Sequence, residues 1–148
     1  EIIKAFDGKT PDAYISGIGT GGTITGVGRA LKEVNKDVEI IGVEPEEAPF
    51  ISKGQKGKHR IQGISAGFKP SIIDRDVIDG FELVTSDDAI ETAKNLAAKE
   101  GILAGISSGA AVTAALRVAQ RLGKGKSVVV LLPDTGERYL STGIFGEA

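Results

Sequence analysis

A glycine-rich turn between two apolar segments of different periodicity limits the folds open to this chain. Residues 16–26 read SGIGTGGTITG, with five glycines and three threonines in eleven positions. A short apolar run over residues 14–18 leads into this turn. Apolar residues then recur at helical spacing, at Ile24, Val27, Leu31 and Val34. This order of strand, tight turn and helix predicts the first half of a βαβ unit.

The same alternation continues along the chain. We predict strands over residues 38–43, 81–84 and 127–132, and helices over residues 87–99 and from Ser107 onward. We predict a loop with little helix over residues 45–79. Residues 102–106 are short and apolar, and we predict a strand there. Residues 127–132 read SVVVLL, which is typical of a strand covered on both faces. The fold expected is α/β: a three-layer, open, twisted and mainly parallel sheet flanked by helices, in one domain over residues 1–148.

Composition excludes several classes of function. The chain has 18 Lys and Arg against 20 Asp and Glu, so no net charge points to nucleic acid or to a membrane surface. It has no cysteine, which excludes disulfides, cysteine–zinc sites and a thiol nucleophile. One basic cluster is interpreted as a solvated loop; it comprises Lys53, Lys56, Lys58, His59 and Arg60.

The start of the chain also carries an expectation. The chain opens at Glu1 and contains no methionine, which indicates a piece of a longer protein. It shows neither a secretory signal nor an apolar run of membrane-spanning length. We therefore expect a cytoplasmic location.

Three unusual turns follow the predicted strands, at residues 19–23, 107–109 and 133–136. Carboxyl ends of parallel strands meet at one rim of a sheet, and ligands of open α/β sheets bind at that rim. The three turns are therefore predicted to share one site.

The first turn predicts an anion-binding cup. Glycines allow successive backbone N–H groups to point inward, and a helix N-terminus adds its positive dipole end. Hydroxyls add further donors, so a phosphate is the expected guest of Gly19, Thr20, Gly21, Gly22 and Thr23. A tight turn needed only for packing is one alternative. Another is an NAD-binding Rossmann domain of an oxidoreductase, because Gly17, Gly19 and Gly22 match G-x-G-x-x-G and Glu44 follows the next strand.

The second turn places two hydroxyls, of Ser107 and Ser108, at a predicted helix start. Either could cap the helix, or could donate a hydrogen bond to a ligand. A nucleophilic serine needs a base, and the only histidine, His59, lies in the basic loop with no evident orienting partner.

Four stretches together resemble the cysteine synthase (O-acetylserine sulfhydrylase) family. They read GTGGT at residues 19–23, KHRIQGISAGF at 58–68, EGILAGISSGAA at 100–111 and PDTGERYLST at 133–142. The resemblance runs nearly the full chain in order. It implies pyridoxal 5'-phosphate as cofactor and the large, C-terminal domain of fold type II, similar to tryptophan synthase β. Cystathionine β-synthase has a similar cup and stays an alternative, although ISSGAA and GERYLST are closer to the sulfhydrylases.

The resemblance also implies roles for residues. The cup from Gly19 to Thr23 would hold the cofactor phosphate, and Ser107 would hydrogen-bond the pyridine nitrogen. Gly63 and Ser65 would line the substrate site, with Ser65 standing where glycine is usual. The intact enzyme would make L-cysteine from O-acetylserine and sulfide, would form a homodimer and would bind the C-terminal tail of serine acetyltransferase.

One departure from the family pattern concerns catalysis. The family binds its cofactor covalently through a lysine, and a Thr-Ser-Gly-Asn loop binds the substrate carboxylate; neither motif occurs in this chain. We therefore expect no catalytic residue here. The expectation is the C-terminal, cofactor-phosphate-binding part of a longer enzyme, inactive by itself. A domain that only docks a partner is a further alternative.

Overall fold

A computed structural model describes residues 1–146 as a parallel sheet with helices on both faces. The four strands are β1 (Ala13–Gly17), β2 (Glu39–Pro45), β3 (Gly80–Val84) and β4 (Val128–Val130). The five helices are α1 (Ile2–Ala5), α2 (Gly22–Val34), α3 (Phe50–Lys53), α4 (Ser86–Asn95) and α5 (Ile106–Leu122). A π-helical turn over Leu96–Glu100 extends α4, and 3-10 turns cover Arg75–Val77 and Gly136–Thr142.

The strand order is β3-β2-β1-β4, and every pairing is parallel. Successive side chains of β1 point to opposite faces of the sheet. Ile15 packs in a cluster with Ala110 and Val118 of α5, whereas Tyr14 packs in a second cluster with Ile24 and Leu31 of α2. The two clusters lie on the two faces, which gives the three layers that the sequence predicts.

The topology reverses between β1 and β4. From β1 the chain passes through α2 on one face to β2, and it returns to β4 on the other side of β1 through α4 and α5 on the opposite face. In open α/β sheets this reversal leaves a crevice beyond the carboxyl ends of the two strands. The fold therefore predicts a site at the ends of β1 and β4.

Helix α4 begins with a hydroxyl cap. Thr85 Oγ1 accepts a hydrogen bond of 3.1 Å from the backbone N–H of Asp88, and Asp87 and Asp88 occupy the first turn. Gly101, in the left-handed region at φ +69°, ends the π-helical turn. A β-carbon on Gly109 would lie 2.1 Å from the carbonyl oxygen of Ala89, so a glycine lets α5 and α4 pack closely.

Two sequence predictions are wrong in detail. Residues 102–106 form no strand; only Ala104 pairs, in an isolated antiparallel bridge with Thr135. Strand β4 is shorter than residues 127–132 and is half-buried, because it lies at the sheet edge and not between two strands. The segment over residues 45–79 has little helix, as predicted: it contains the four-residue helix α3 and the 3-10 turn over Arg75–Val77.

The basic cluster lies at the surface, as predicted. Lys53, Lys56, Lys58 and Arg60 are exposed, and His59 is half-buried. The Arg60 guanidinium pairs with Asp87, and the Lys56 ammonium lies 5.5 Å from the centre of the Phe50 ring. Within residues 1–146, no helix is both long enough and apolar enough to cross a membrane.

Candidate functional site

A cavity of about 440 Å³ lies at the carboxyl ends of β1 and β4. Its walls come from all three turns that the sequence analysis places on one rim, together with residues 62–64. The lining residues of these turns and of the adjacent segment include Gly19, Thr20, Gly21, Thr23, Gly63, Ser107 and Asp134. The parallel topology thus brings together segments more than a hundred residues apart in the chain.

The glycine turn leads directly into helix α2. Gly21 is the N-cap at φ +82°, a conformation that favours glycine, and the backbone N–H of Thr25 donates to the Gly21 carbonyl oxygen at 3.1 Å. The first N–H groups of a helix have no partner within the helix. The first turn of α2 itself carries no acidic residue. The geometry suits an anion.

A backbone carbonyl group and a side chain pack against one side of the glycine turn. A β-carbon on Gly19 would lie 2.6 Å from the carbonyl oxygen of Gly63, and one on Gly21 would lie 2.7 Å from Cβ of Ile73. Both positions therefore exclude any larger residue unless neighbours move. Close approach on one side of the turn leaves its other side for a ligand, and Thr20 and Thr23 border that side with hydroxyls.

Ser107 lies in the first turn of α5 and lines the cavity. Gly105, in an extended conformation, is the N-cap of this helix, so neither Ser107 nor Ser108 has the capping role that the sequence left open. Ser107 is 5% exposed. Ser108 is completely buried, and its Oγ has no hydrogen-bond partner in the part of the chain that the structure describes. Of the two hydroxyls, that of Ser107 is the one at the cavity.

Two residues predicted for the site, Gly22 and Ser65, are not among the described residues that line the cavity. Gly22 is the first residue of α2. Ser65 adopts φ +51°, and its Oγ donates a hydrogen bond of 2.6 Å to the Ala48 carbonyl oxygen. Its backbone N–H donates to the Ile18 carbonyl oxygen at 2.9 Å. Ser65 therefore supports the adjacent Gly63 segment from behind, and Gly63 forms the wall.

The polar residues of the cavity that were not predicted for the site include Gln62, Arg138 and Tyr139, whereas Asp134 was predicted only as part of the turn at residues 133–136. The Tyr139 hydroxyl donates a hydrogen bond of 2.8 Å to Asp134 Oδ2. Burial raises the pKa of Tyr139, and the adjacent Asp134 carboxylate raises this pKa further, so the phenol stays protonated and donates. For Arg138 and Tyr139 the available signal was their position in PDTGERYLST, which follows a strand, and for Gln62 it was the position next to Gly63 in KHRIQGISAGF.

The acid required by the dinucleotide alternative has another role. Glu44 is fully buried, and its two carboxylate oxygens accept hydrogen bonds from the backbone N–H groups of Ile51 and Ser52, at 2.6 and 2.9 Å. These bonds occupy the carboxylate at the start of α3, away from the cavity. Glu44 is therefore not placed to bind a ribose.

The structure also separates the histidine from the serines. His59 Nδ1 accepts a hydrogen bond of 3.2 Å from the Ile61 backbone N–H, and Nε2 lies 3.4 Å from the Ser65 carbonyl oxygen. Both ring nitrogens therefore contact backbone groups of the same loop. Among residues 1–146, His59 is not one of the residues that line the cavity. A Ser-His-Asp arrangement at Ser107 is not formed.

The donor set of the cavity fits pyridoxal 5'-phosphate. The cup at the start of α2 offers backbone N–H groups and hydroxyls for a phosphate, and Ser107 offers a neutral hydroxyl for a ring nitrogen. No lysine lines this cavity in the described residues 1–146. The residues present thus fit the phosphate and the ring of the cofactor, but not its covalent attachment.

Comparison with known proteins agrees with this fit. Residues 1–134 match the family described as pyridoxal-phosphate dependent enzyme. The chain is 49% identical over 145 residues to the cysteine synthase of Staphylococcus aureus, an alignment that covers 98% of this chain and 47% of that relative. The chain therefore spans about half the length of the curated relatives it matches.

Solved structures show the same likeness. O-acetylserine sulfhydrylase isoform 3 from Entamoeba histolytica superposes with a TM-score of 0.93 at 41% identity, over 97% of this chain and 43% of that one. O-ureido-L-serine synthase gives 0.93 at 43% identity, over 97% and 46%. The O-acetylserine dependent cystathionine β-synthase from Helicobacter pylori gives 0.89 at 42% identity, again over 97% and 46%.

Proposed function

Since the chain belongs to the family of pyridoxal-phosphate dependent enzymes, we propose that it is the cofactor-phosphate-binding part of a cysteine synthase. The intact enzyme makes L-cysteine from O-acetylserine and sulfide in this proposal. The observation that carries it is the meeting of the glycine cup and Ser107 in one cavity. The similarity to cysteine synthases across 98% of this chain supports it.

The cup holds the phosphate of the cofactor in this proposal. Backbone N–H groups from Gly19 to Thr23 donate to its oxygens, and the hydroxyls of Thr20 and Thr23 add two donors. The positive end of the α2 dipole stabilises the dianion. The first turn of α2 contains no acidic residue, which supports this role, because a carboxylate there would compete with the phosphate.

Ser107 faces the pyridine nitrogen in this proposal. When bound, the cofactor supplies an electron sink for a carbanion at the substrate Cα. A neutral hydroxyl, unlike a carboxylate, does not hold a proton on the ring nitrogen. Ser107 thereby limits the strength of that sink, which favours loss of a β-leaving group over transamination.

Substrate is proposed to enter beside Gly63. This residue lines the cavity and has no side chain that would fill the space. Ser65 is assigned to the same substrate site, where it acts by supporting the loop and not by touching the substrate. In addition, we infer from the family resemblance that the intact enzyme is a cytoplasmic homodimer that binds the C-terminal tail of serine acetyltransferase.

The chain alone is proposed to be inactive, because the family motif that contains the cofactor-binding lysine does not occur in this chain. A cystathionine β-synthase activity is the second candidate, and the likeness to the Helicobacter pylori enzyme favours it. An intact enzyme that used homocysteine in preference to sulfide would establish that candidate.

A ligand titration of the chain tests the proposal. We would record amide NMR spectra with pyridoxal 5'-phosphate, inorganic phosphate and NAD in turn, and follow Gly19, Gly21 and Gly22. Saturable shifts with the first two ligands but not with NAD are expected. Ser107→Ala should weaken binding of pyridoxal 5'-phosphate and leave phosphate binding unchanged. Selective shifts with NAD, or no shifts of the cup with either phosphate ligand, would contradict the proposal.

A further inference from the structure

The turn at residues 133–136 is docked on the segment that leads into α5. Ala104 and Thr135 form an antiparallel bridge, and the backbone N–H of Gly136 donates to the Leu103 carbonyl oxygen at 3.0 Å. The Gly105 N–H approaches the Asp134 carbonyl oxygen at 3.4 Å. Because Gly105 is the N-cap of α5, these contacts reach to within two residues of Ser107.

The side chain of Asp134 packs directly against Gly105. A β-carbon on Gly105 would lie 2.2 Å from Asp134 Oδ1 and 2.7 Å from its Cγ. The carboxylate therefore occupies the space that any side chain at position 105 would need. It lies at the N-terminal end of α5, where a negative charge is favourable and where no side chain of the N-cap residue caps the helix.

Tyr139 holds this carboxylate in place. Its hydroxyl donates to Asp134 Oδ2 at 2.8 Å, and the ring is 5% exposed. The other oxygen, Oδ1, is buried and has no hydrogen-bond partner among residues 1–146. The hydrogen bond from Tyr139 is thus the contact that orients the carboxylate toward Gly105.

We propose that Asp134 is a positioning residue, which fixes the first turn of α5 and with it the Ser107 hydroxyl, and that Tyr139 orients Asp134. The inference rests on the proposed function in one respect, which is that Ser107 contacts the pyridine ring of the cofactor. Precise placement of a ligand-binding hydroxyl requires a supporting residue with a locked rotamer. The pair acts on the ring end of the cavity, and the phosphate cup lies on a different helix.

The test compares two ligands that differ in this respect. Inorganic phosphate reports on the cup alone, whereas pyridoxal 5'-phosphate reports on the cup and on Ser107. Tyr139→Phe removes the orienting hydroxyl, and Gly105→Ala displaces the carboxylate without removing any hydrogen-bonding group. Tyr14→Phe is the matched control, because the Tyr14 hydroxyl is buried without a partner in the described part of the chain.

We expect Tyr139→Phe and Gly105→Ala to weaken binding of pyridoxal 5'-phosphate about fivefold, the effect of one lost hydrogen bond, with phosphate affinity unchanged. Both variants should also speed amide hydrogen exchange at Gly109, whose N–H closes the first turn of α5 on the Gly105 carbonyl oxygen at 3.1 Å. Tyr14→Phe should change neither quantity. Equal losses for both ligands would show a general structural role and overturn the inference, as would wild-type values in both variants. If the wild-type chain binds phosphate but not pyridoxal 5'-phosphate, the proposed function fails, and the exchange rate at Gly109 alone decides this inference.

Discussion

Gly19 and Gly63 are in direct contact through their backbones. A β-carbon on Gly19 would lie 2.6 Å from the Gly63 carbonyl oxygen, so the glycine cup and the neighbouring loop support each other. Backbone atoms cannot yield as a flexible side chain can. This contact ties the proposed phosphate site to the proposed substrate wall.

Gly19→Ala should therefore be destabilising. We expect it to lower the free energy of unfolding by about 1–3 kcal/mol, as overpacking does, and to weaken phosphate binding. Gly26→Ala is the control, since Gly26 lies in α2 and a β-carbon there meets nothing within 4 Å. It should stabilise the helix by about 0.5–1 kcal/mol. Urea denaturation measures both, and equal midpoints for the two variants would refute the contact.

Glu44→Gln should also lower stability. The Glu44 carboxylate accepts from two backbone N–H groups at the start of α3, and an amide can present only one acceptor oxygen to them. A loss of about 1–3 kcal/mol in the free energy of unfolding is expected, since one buried donor is left unsatisfied. Glu46→Gln, at an exposed position two residues away, should change stability by less than about 0.5 kcal/mol. An unchanged urea midpoint in Glu44→Gln would contradict this role of the Glu44 carboxylate.

Asp12 should make stability depend on acidic pH. Its carboxylate accepts hydrogen bonds from Lys126 Nζ at 2.9 Å and from the Ser127 N–H at 2.8 Å, joining the starts of β1 and β4. The Lys126 bond foremost, then the Ser127 bond, lowers the pKa of Asp12 from 3.8 to about 2. A carboxylate whose pKa falls on folding stabilises the protein above its unfolded pKa, and this contribution is lost as the pH falls from 3.8 toward about 2.

The Asp12→Asn variant tests this dependence. It should be less stable than the wild-type protein near neutral pH, and the difference between the two should narrow below about pH 4. Thermal unfolding across this range measures it, with Asp37→Asn at an exposed position as control. A difference that stayed constant down to about pH 2 would exclude the role of Asp12.

Ser65 combines a strained backbone with a hydrogen bond. Its φ of +51° disfavours any residue but glycine, by about 1 kcal/mol, while its hydroxyl bonds the Ala48 carbonyl oxygen. Ser65→Ala loses the hydrogen bond and keeps the strain, whereas Ser65→Gly loses both. The glycine variant should therefore be about 1 kcal/mol more stable than the alanine variant. The reverse order in urea denaturation would show that the strain is absent.

Local patterns predicted the elements around the cup. The apolar run before the glycines became β1, the helical spacing after them became α2, and the Thr85 cap begins α4. These features depend on residues within a few positions of each other, where period, capping and backbone freedom act directly. Errors occurred where neighbouring elements decide the length and burial of a strand. At β4, the same apolar run is compatible with a central strand and with an edge strand.

Short-range spacing in the sequence is enough to predict the α/β alternation and the glycine turn that leads into α2, and the parallel sheet that this alternation implies puts the three turns on one rim. Tertiary packing sets the roles of the isolated side chains. It engaged Glu44 at the start of α3, placed Ser65 behind the Gly63 loop, and joined Tyr139 to Asp134 beside Gly105. The physical reason is that such contacts depend on how helices and loops pack across the sheet, and no local period records which distant side chains will meet.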